Sequence, residues 1–188
     1  MPTVDNWPSF LAQLHDTAGA DDDGNVEPLA LSAASSQAIA ALEQRLGSTL
    51  PPSYKSFLLT SDGFADLGVL WGPLLPVGDV NWFRNREADW IRTWIETSTH
   101  PDLSVKEHLV YGDKQDSAVF RLAYLQATLQ IGDVSDGAVF LLNPEVQTVD
   151  GEWEAWIFAN WFPGAHRYPT FGDLMESVLG GLRSRRHR

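Results

Sequence analysis

Two glutamates near the end of the chain have the spacing that best fits an enzymatic role. Glu152 and Glu154 lie two positions apart in a segment with strand character, so their carboxyl groups would face one side, beside Trp153 and Trp156. A glycosidase uses paired carboxylates beside aromatic rings. Its two carboxyl groups, however, lie on opposite sides of the scissile bond, about 5 to 10 Å apart, and usually come from different elements. We therefore favour a solvated face at a sheet edge over a glycosidase site.

Other catalytic and metal-binding patterns do not occur in the sequence. The five histidines form no close pair of the kind that opens a zinc site, and there are no cysteines. The nucleophile-elbow, phosphate-loop and dinucleotide-binding motifs do not occur either. Asp21, Asp22 and Asp23 lack the alternating ligands and distal glutamate of a calcium loop, so we expect a solvated loop there. We predict no enzyme, with no catalytic residues, no cofactor and no metal site.

The distribution of charge points to a protein partner. The net charge is -12, and four of the thirteen basic residues are arginines among the last six positions. Between Arg121 and Arg167 there is no lysine or arginine, but there are six acidic residues. Such a surface repels phosphate backbones and attracts basic proteins, so we predict no direct contact with nucleic acid. The alternative is that these acids only keep the protein soluble.

The eight tryptophans bear on the same question. An exposed tryptophan among acids would anchor a basic partner, because the ring supplies binding energy and the carboxylates steer the approach. The alternative is that these rings pack under an N-terminal helix and the segment 84–116. The candidate partner-binding residues, with Trp153 as the anchor, are Asp133, Asp136, Glu145, Asp150, Glu152, Trp153 and Glu154.

Composition predicts one domain with an appended element. The chain has 188 residues, of which 44% are hydrophobic, which suffices for a sizeable core. The N-terminus lacks the basic start and apolar core of a signal peptide, and no apolar run reaches the length of a membrane span. We expect a cytoplasmic protein with no membrane contact. The predicted divisions are an N-terminal helix and acidic loop (1–30), the main domain (31–182) and a basic tail (183–188).

Residues 35–63 predict two short helices and a turn. Ile39, Leu42 and Leu46 have helical spacing, Ser35 or Ser36 can cap the helix start, and Gly47 can end it in a left-handed conformation. Pro52 suits the first turn of a second helix, whose buried face would contain Tyr54, Phe57 and Leu58. Asp62 and Gly63 then predict a turn.

The remaining elements follow from periodicity. Apolar spacing predicts helices over residues 3–17 and 87–97, and short strands between residues 66 and 80. Three further strands, within residues 127–134, 137–144 and 153–162, predict an antiparallel meander with turns at Asp136-Gly137 and Asp150-Gly151. A final helix would begin near Thr170, with Gly180 and Gly181 at its fraying end.

The order of features in residues 42–63 resembles the signature of the SUKH superfamily, which includes bacterial immunity proteins and yeast cell-wall-synthesis regulators of the Smi/Knr type. The resemblance extends loosely over residues 35–182; Asp62 stands where the family often has asparagine, and residues 84–116 have no counterpart. The matching residues are Glu43, Leu46, Gly47, Leu50, Pro51, Tyr54, Phe57, Leu58 and Gly63.

The resemblance implies an α+β fold, a mainly antiparallel β-sheet of about five strands flanked by helices. It also implies an immunity protein that binds and neutralises a cognate bacterial polymorphic or contact-dependent toxin, often a nuclease. The acidic composition fits a basic toxin as the partner. Two alternatives remain at this stage: an intracellular regulatory or scaffold module of the Smi/Knr type, and an enzyme acting on a small substrate or sugar.

Overall fold

The computed structural model describes residues 4, 6–18, 29–65, 72–98, 103–162 and 164–186. The predicted acidic loop with Asp21, Asp22 and Asp23 lies outside them. The described helices are α1 (Trp7–Ala18), α2 (Ser36–Leu46), α3 (Pro52–Leu58), α4 (Phe83–Arg86), α5 (Ala88–Thr97), α6 (Val105–His108), α7 (Leu122–Leu125) and α8 (Phe171–Arg186), with a 3-10 turn at Gly112–Lys114. The described strands are β1 (Asn81–Trp82), β2 (Leu129–Gln130), β3 (Ala138–Gln147), β4 (Trp153–Ala159) and β5 (Gly164–Tyr168).

The five strands form one antiparallel sheet in chain order, from β1 at one edge to β5 at the other. This confirms the predicted α+β fold and the meander of β2, β3 and β4. The last predicted strand is shorter than expected, because the chain turns after Ala159 and returns as β5. Before β1, Leu74 forms single bridges with Phe64 and Gly132. Residues 66–71, where we also expected strand, lie outside the described part.

The two helices of the signature segment form as predicted. The Ser35 side chain caps α2 by accepting a hydrogen bond from the Ala38 amide, and Gly47 ends the helix with a φ of 66°. Pro52 is the first residue of α3. The Glu43 carboxylate accepts a hydrogen bond of 2.8 Å from the Leu50 amide and lies 2.7 Å from Lys55 Nζ. Glu43 therefore connects α2 with α3.

Helices cover both faces of the sheet. Alternation along β4 sends Ile157 into one core and Trp156 and Phe158 into the other. The first core contains apolar residues of α1, α2, α3 and α8. The second contains Phe83 of α4, together with residues of α5 and α7. The described part of the chain from α4 to α7, which includes most of residues 84–116, thus supplies the cover of the second face.

The last helix is longer than the sequence suggested. Thr170 Oγ1 accepts a hydrogen bond from the Asp173 amide, which caps the helix start, and donates one to the Asp173 carboxylate. The predicted fraying at Gly180 and Gly181 is wrong, because α8 continues to Arg186. Within the described part of the chain, no helix is long and apolar enough to cross a membrane.

Replacing Gly47 with valine tests the end of α2. A Cβ atom there would meet open space, so the cost arises from the left-handed backbone, which β-branched residues rarely adopt. We expect Gly47→Val to lower the free energy of unfolding by more than about 1 kcal/mol in urea denaturation.

The control for this prediction is Gly180→Ala in α8, where a Cβ atom also meets open space. Because alanine favours the helix, we expect that variant to gain up to about 1 kcal/mol. Equal unfolding midpoints for Gly47→Val and the unchanged protein would mean that the left-handed conformation does not restrict which residues are tolerated at position 47.

Candidate functional site

The structure separates the seven candidate partner-binding residues into two groups. Four acids at or near the ends of β3 are exposed: Asp133, Asp136, Glu145 and Asp150. Glu152, Trp153 and Glu154 are buried, with exposed fractions of 8%, 2% and 0%. The expectation of a solvated face at Glu152 and Glu154 is therefore wrong, and Trp153 cannot serve as an exposed anchor. The contact role of the four exposed acids stays a prediction.

Glu152 is used by the fold to hold the start of α3. Its carboxylate accepts hydrogen bonds from the Ser53 amide at 2.8 Å and the Ser53 hydroxyl at 2.6 Å. Amide groups in the first turn of a helix have no partner within the helix, and the helix dipole favours a negative charge there. Glu152 thus caps α3 from a distant part of the chain.

Glu154 lies at the centre of a buried polar network on the other side of the sheet. One carboxylate oxygen accepts hydrogen bonds from His108 Nε2 at 3.0 Å, Asn143 Nδ2 at 2.8 Å and Trp156 Nε1 at 2.7 Å. The other oxygen accepts one from the Tyr111 hydroxyl at 3.0 Å. Four donors satisfy a carboxylate that no water reaches, which is the condition for burying such a charge.

The hydrogen bonds around His108 assign its tautomer. Its Nδ1 atom accepts a bond of 3.1 Å from the Arg121 amide, so the ring proton lies on Nε2 and is donated to Glu154. A guanidinium nitrogen of Arg167 lies 3.4 Å from the same Nδ1 atom. The neutral imidazole therefore links the buried anion to the buried cation.

The ionisation of the surrounding groups fits this arrangement. Burial raises the pKa of Tyr111, and the Glu154 carboxylate raises it further, so the phenol stays protonated and donates. Burial lowers the pKa of Arg167, while Glu154 is the largest influence that opposes the decrease. Arginine keeps its charge under such conditions, so Glu154 and Arg167 form a compensated pair.

These contacts argue against the glycosidase interpretation. Glu152 caps α3 and Glu154 binds side chains from α6 and the loop after it, so the two carboxylates serve different partners. Their exposed fractions leave no room for a sugar between them. Among the described residues, no group of three or more His, Cys, Asp or Glu side chains could hold a metal ion.

The four exposed acids lie at opposite ends of the sheet. Asp133 and Asp136 precede β3, whereas Glu145 lies near the end of β3 and Asp150 follows it. A strand rises about 3.3 Å per residue, so the length of β3 separates the two pairs by roughly 25 to 30 Å. The structure therefore does not bring the predicted acidic contacts together into one patch.

An open groove of about 620 Å³ lies at the Asp150 end, between α3 and the β3–β4 hairpin. Its lining includes the apolar Leu59, which is 47% exposed, and the rim carries Lys55, which is paired with Glu43. Val149, at the tip of the hairpin, is fully exposed.

The other end of the sheet carries an exposed tryptophan that the sequence analysis did not select. Trp161 is 48% exposed and its ring stands edge-on to that of Phe162, with centroids 4.7 Å apart. Its exposure could have been predicted from its position in the sequence. Trp161 follows Asn160, after the alternating pattern of β4 ends, and a turn at such a position places side chains at the surface.

The fold and these sites define a class of protein: an α+β domain with a covered antiparallel sheet, in which the buried acids Glu152 and Glu154 support the fold and the candidate contact acids are exposed near the two ends of the sheet. Residues 33–177 match the SMI1 / KNR4 family (SUKH-1), and this chain belongs to that family. The resemblance found in the signature segment is thereby confirmed. The family includes immunity proteins. No curated protein matches the chain.

Glu154→Gln tests the structural role of the buried network. The amide group of glutamine would face donors rather than acceptors, and Arg167 would lose its compensating charge. We expect the free energy of unfolding to fall by about 3 to 5 kcal/mol in urea denaturation.

The matched control for this change is Glu145→Gln, which removes an exposed charge and should change stability by less than about 0.5 kcal/mol. If Glu154→Gln behaved like this control, the carboxylate would not be holding the second layer on the sheet.

Proposed function

We propose that this protein is an immunity protein that binds a cognate bacterial toxin and neutralises it by protein–protein contact. Membership of the SMI1 / KNR4 family supports this class of function, because the family includes immunity proteins. The observation that carries the proposal is the position of the negative charge. Asp133, Asp136, Glu145 and Asp150 are exposed to a partner, whereas the buried Glu152 and Glu154 are occupied by the fold.

The charge of the protein indicates a basic toxin. The net charge is -12, and exposed acids lie at both ends of the sheet, so the surface attracts a positively charged domain over distances up to about a Debye length. A nuclease presents such a basic surface, since it must hold a phosphate backbone. An acidic binder that occupies this cleft would block the substrate.

The direct test is co-expression in bacterial cells with the toxin domain encoded beside the gene of this protein. We expect cells that produce the toxin to grow when this protein is present and to stop growing without it. The active-site variant of the toxin should form a stable complex with the protein in gel filtration. Toxicity that is unchanged by this protein, together with the absence of a complex, would contradict the proposal.

Titration of the purified toxin distinguishes binding from catalysis. A binder should remove toxin activity in proportion to the amount added, and complete inhibition should require one equivalent of protein per toxin. An enzyme that modified or destroyed the toxin would act at far less than one equivalent, and the inhibition would increase with time. Complete inhibition at a small fraction of one equivalent would therefore support the enzyme alternative instead.

Salt should slow association, because the exposed acids steer a basic partner. We expect the association rate constant to fall at least about fivefold between roughly 50 and 500 mM sodium chloride, while the dissociation rate changes less. Stopped-flow fluorescence measures both constants. A neutral osmolyte at matched osmolarity provides the control. An association rate that is independent of salt would mean that these charges only maintain solubility.

A further inference from the structure

Two turns meet at the end of the sheet that carries Trp161. The Asn160 amide, at the β4–β5 turn, donates a hydrogen bond of 2.9 Å to the Gly137 carbonyl in the β2–β3 turn. A Cβ atom at Gly137 would collide with the Asn160 side chain, so the two turns are in close contact. This contact places Asp136 and Trp161, each next in sequence to one of these residues, on neighbouring turns.

The β2–β3 turn is a tight one with a defined shape. Asp136 and Gly137 have φ values of 47° and 70°, and the flanking Ser135 and Ala138 exchange two backbone hydrogen bonds of 3.0 and 2.8 Å. Positive φ at both central positions is the geometry that suits a two-residue hairpin. The acid at its tip is therefore held in place before any partner arrives, which lowers the entropy lost on binding.

Apolar and acidic groups combine at this end. Trp161 is 48% exposed and Val134, in the β2–β3 turn, is 38% exposed. Asp133 and Asp136 supply negative charge, and one basic side chain, Arg86, lies 3.5 Å from Asp133. Partial burial lowers the pKa of His166, whose ring packs 4.6 Å from Phe162, so this histidine adds no positive charge at neutral pH.

The opposite end is less suited to anchor a partner. Its tryptophan, Trp153, is 2% exposed and has almost no surface left to bury. The aliphatic Val149 and Leu59 are exposed there, and Lys55 places a positive charge in the groove. Tryptophan is enriched at the residues that dominate binding energy, whereas leucine and valine are under-represented. Each end carries two exposed acids, and the Trp161 end also offers the larger anchor.

We infer that the surface formed by Asp133, Val134, Asp136 and Trp161, here called the Trp161 surface, is the contact for the basic toxin. The inference rests on the proposed function. The Trp161 ring enters an apolar depression on the toxin, and Asp133 and Asp136 at the rim pair with its lysine or arginine side chains. The ring governs dissociation and the two carboxylates govern association.

The test uses variants that remove one property at a time. Trp161→Ala removes the anchor. The double variant Asp133→Asn with Asp136→Asn removes two charges and keeps the shape of the turn. Asparagine tolerates the positive φ of position 136, and at position 133 it keeps the side-chain oxygen that accepts a hydrogen bond from the Val134 amide. The matched control, Glu145→Gln with Asp150→Asn, removes two exposed charges at the other end. The probe is the active-site variant of the toxin domain encoded beside the gene, measured by biolayer interferometry.

We expect Trp161→Ala to weaken the complex by about tenfold or more, mainly through faster dissociation. The Asp133 and Asp136 double variant should slow association severalfold and reduce its salt dependence, whereas the control should change either rate constant less than twofold. An unchanged affinity for Trp161→Ala, or slower association in the control alone, would overturn the inference and leave the proposed function standing. Failure of the unchanged protein to bind the toxin would overturn both.

Hydrogen–deuterium exchange on the unchanged protein keeps the inference testable if Trp161→Ala fails to fold. We expect toxin binding to slow exchange in residues 133–137 and 159–162. Slower exchange at residues 145–151 instead would place the contact at the opposite end of the sheet and overturn the inference.

Discussion

The burial of β4 on both faces is the constraint on which the rest of the structure depends. Every residue from Trp153 to Ala159 is buried, so both sides of this strand need a cover. The side with Ile157 is covered by the signature helices and α8. The side with Trp156 and Phe158 needs a second layer, which the chain from α4 to α7 provides. Because Glu154 points into that layer, the layer must also supply its hydrogen-bond donors.

The need to satisfy Glu154 explains why His108, Tyr111 and Asn143 converge. A carboxylate without partners in this position would cost several kcal/mol, which is a large fraction of the stability of a typical domain. The donors come from α6, the loop after it and β3, so one charge connects three separate parts of the chain. With both faces of the sheet occupied, its turns and the outer sides of the helices are the surfaces left to meet a partner.

Local signals predicted the fold better than they predicted the site. Glycine permits the left-handed conformation and proline fixes φ, so Gly47 predicted the end of α2 and Pro52 predicted the start of α3 from single residues. Alternation along β4 places Trp153 and Trp156 on opposite faces of the sheet. It does not reveal whether a face is covered, because the covering segment lies tens of residues away. Glu152 and Glu154 were consequently misplaced at the surface.

Stability and the proposed recognition depend on different residues of this domain. The Trp161 surface is built on turns whose shape is set by backbone hydrogen bonds and a glycine, and the Glu154 network is built on strand and helix residues. Substitutions at exposed turn residues that are not strained change stability little, so Asp133 and Trp161 can be replaced without loosening the core, whereas the positive φ of Asp136 restricts that position to residues such as asparagine or glycine. The net negative charge is then a property that the exposed turns can tune, while Glu154 and Arg167 remain fixed inside. A covered sheet with exposed turns thus keeps the residues that stabilise the fold apart from the residues of the proposed contact.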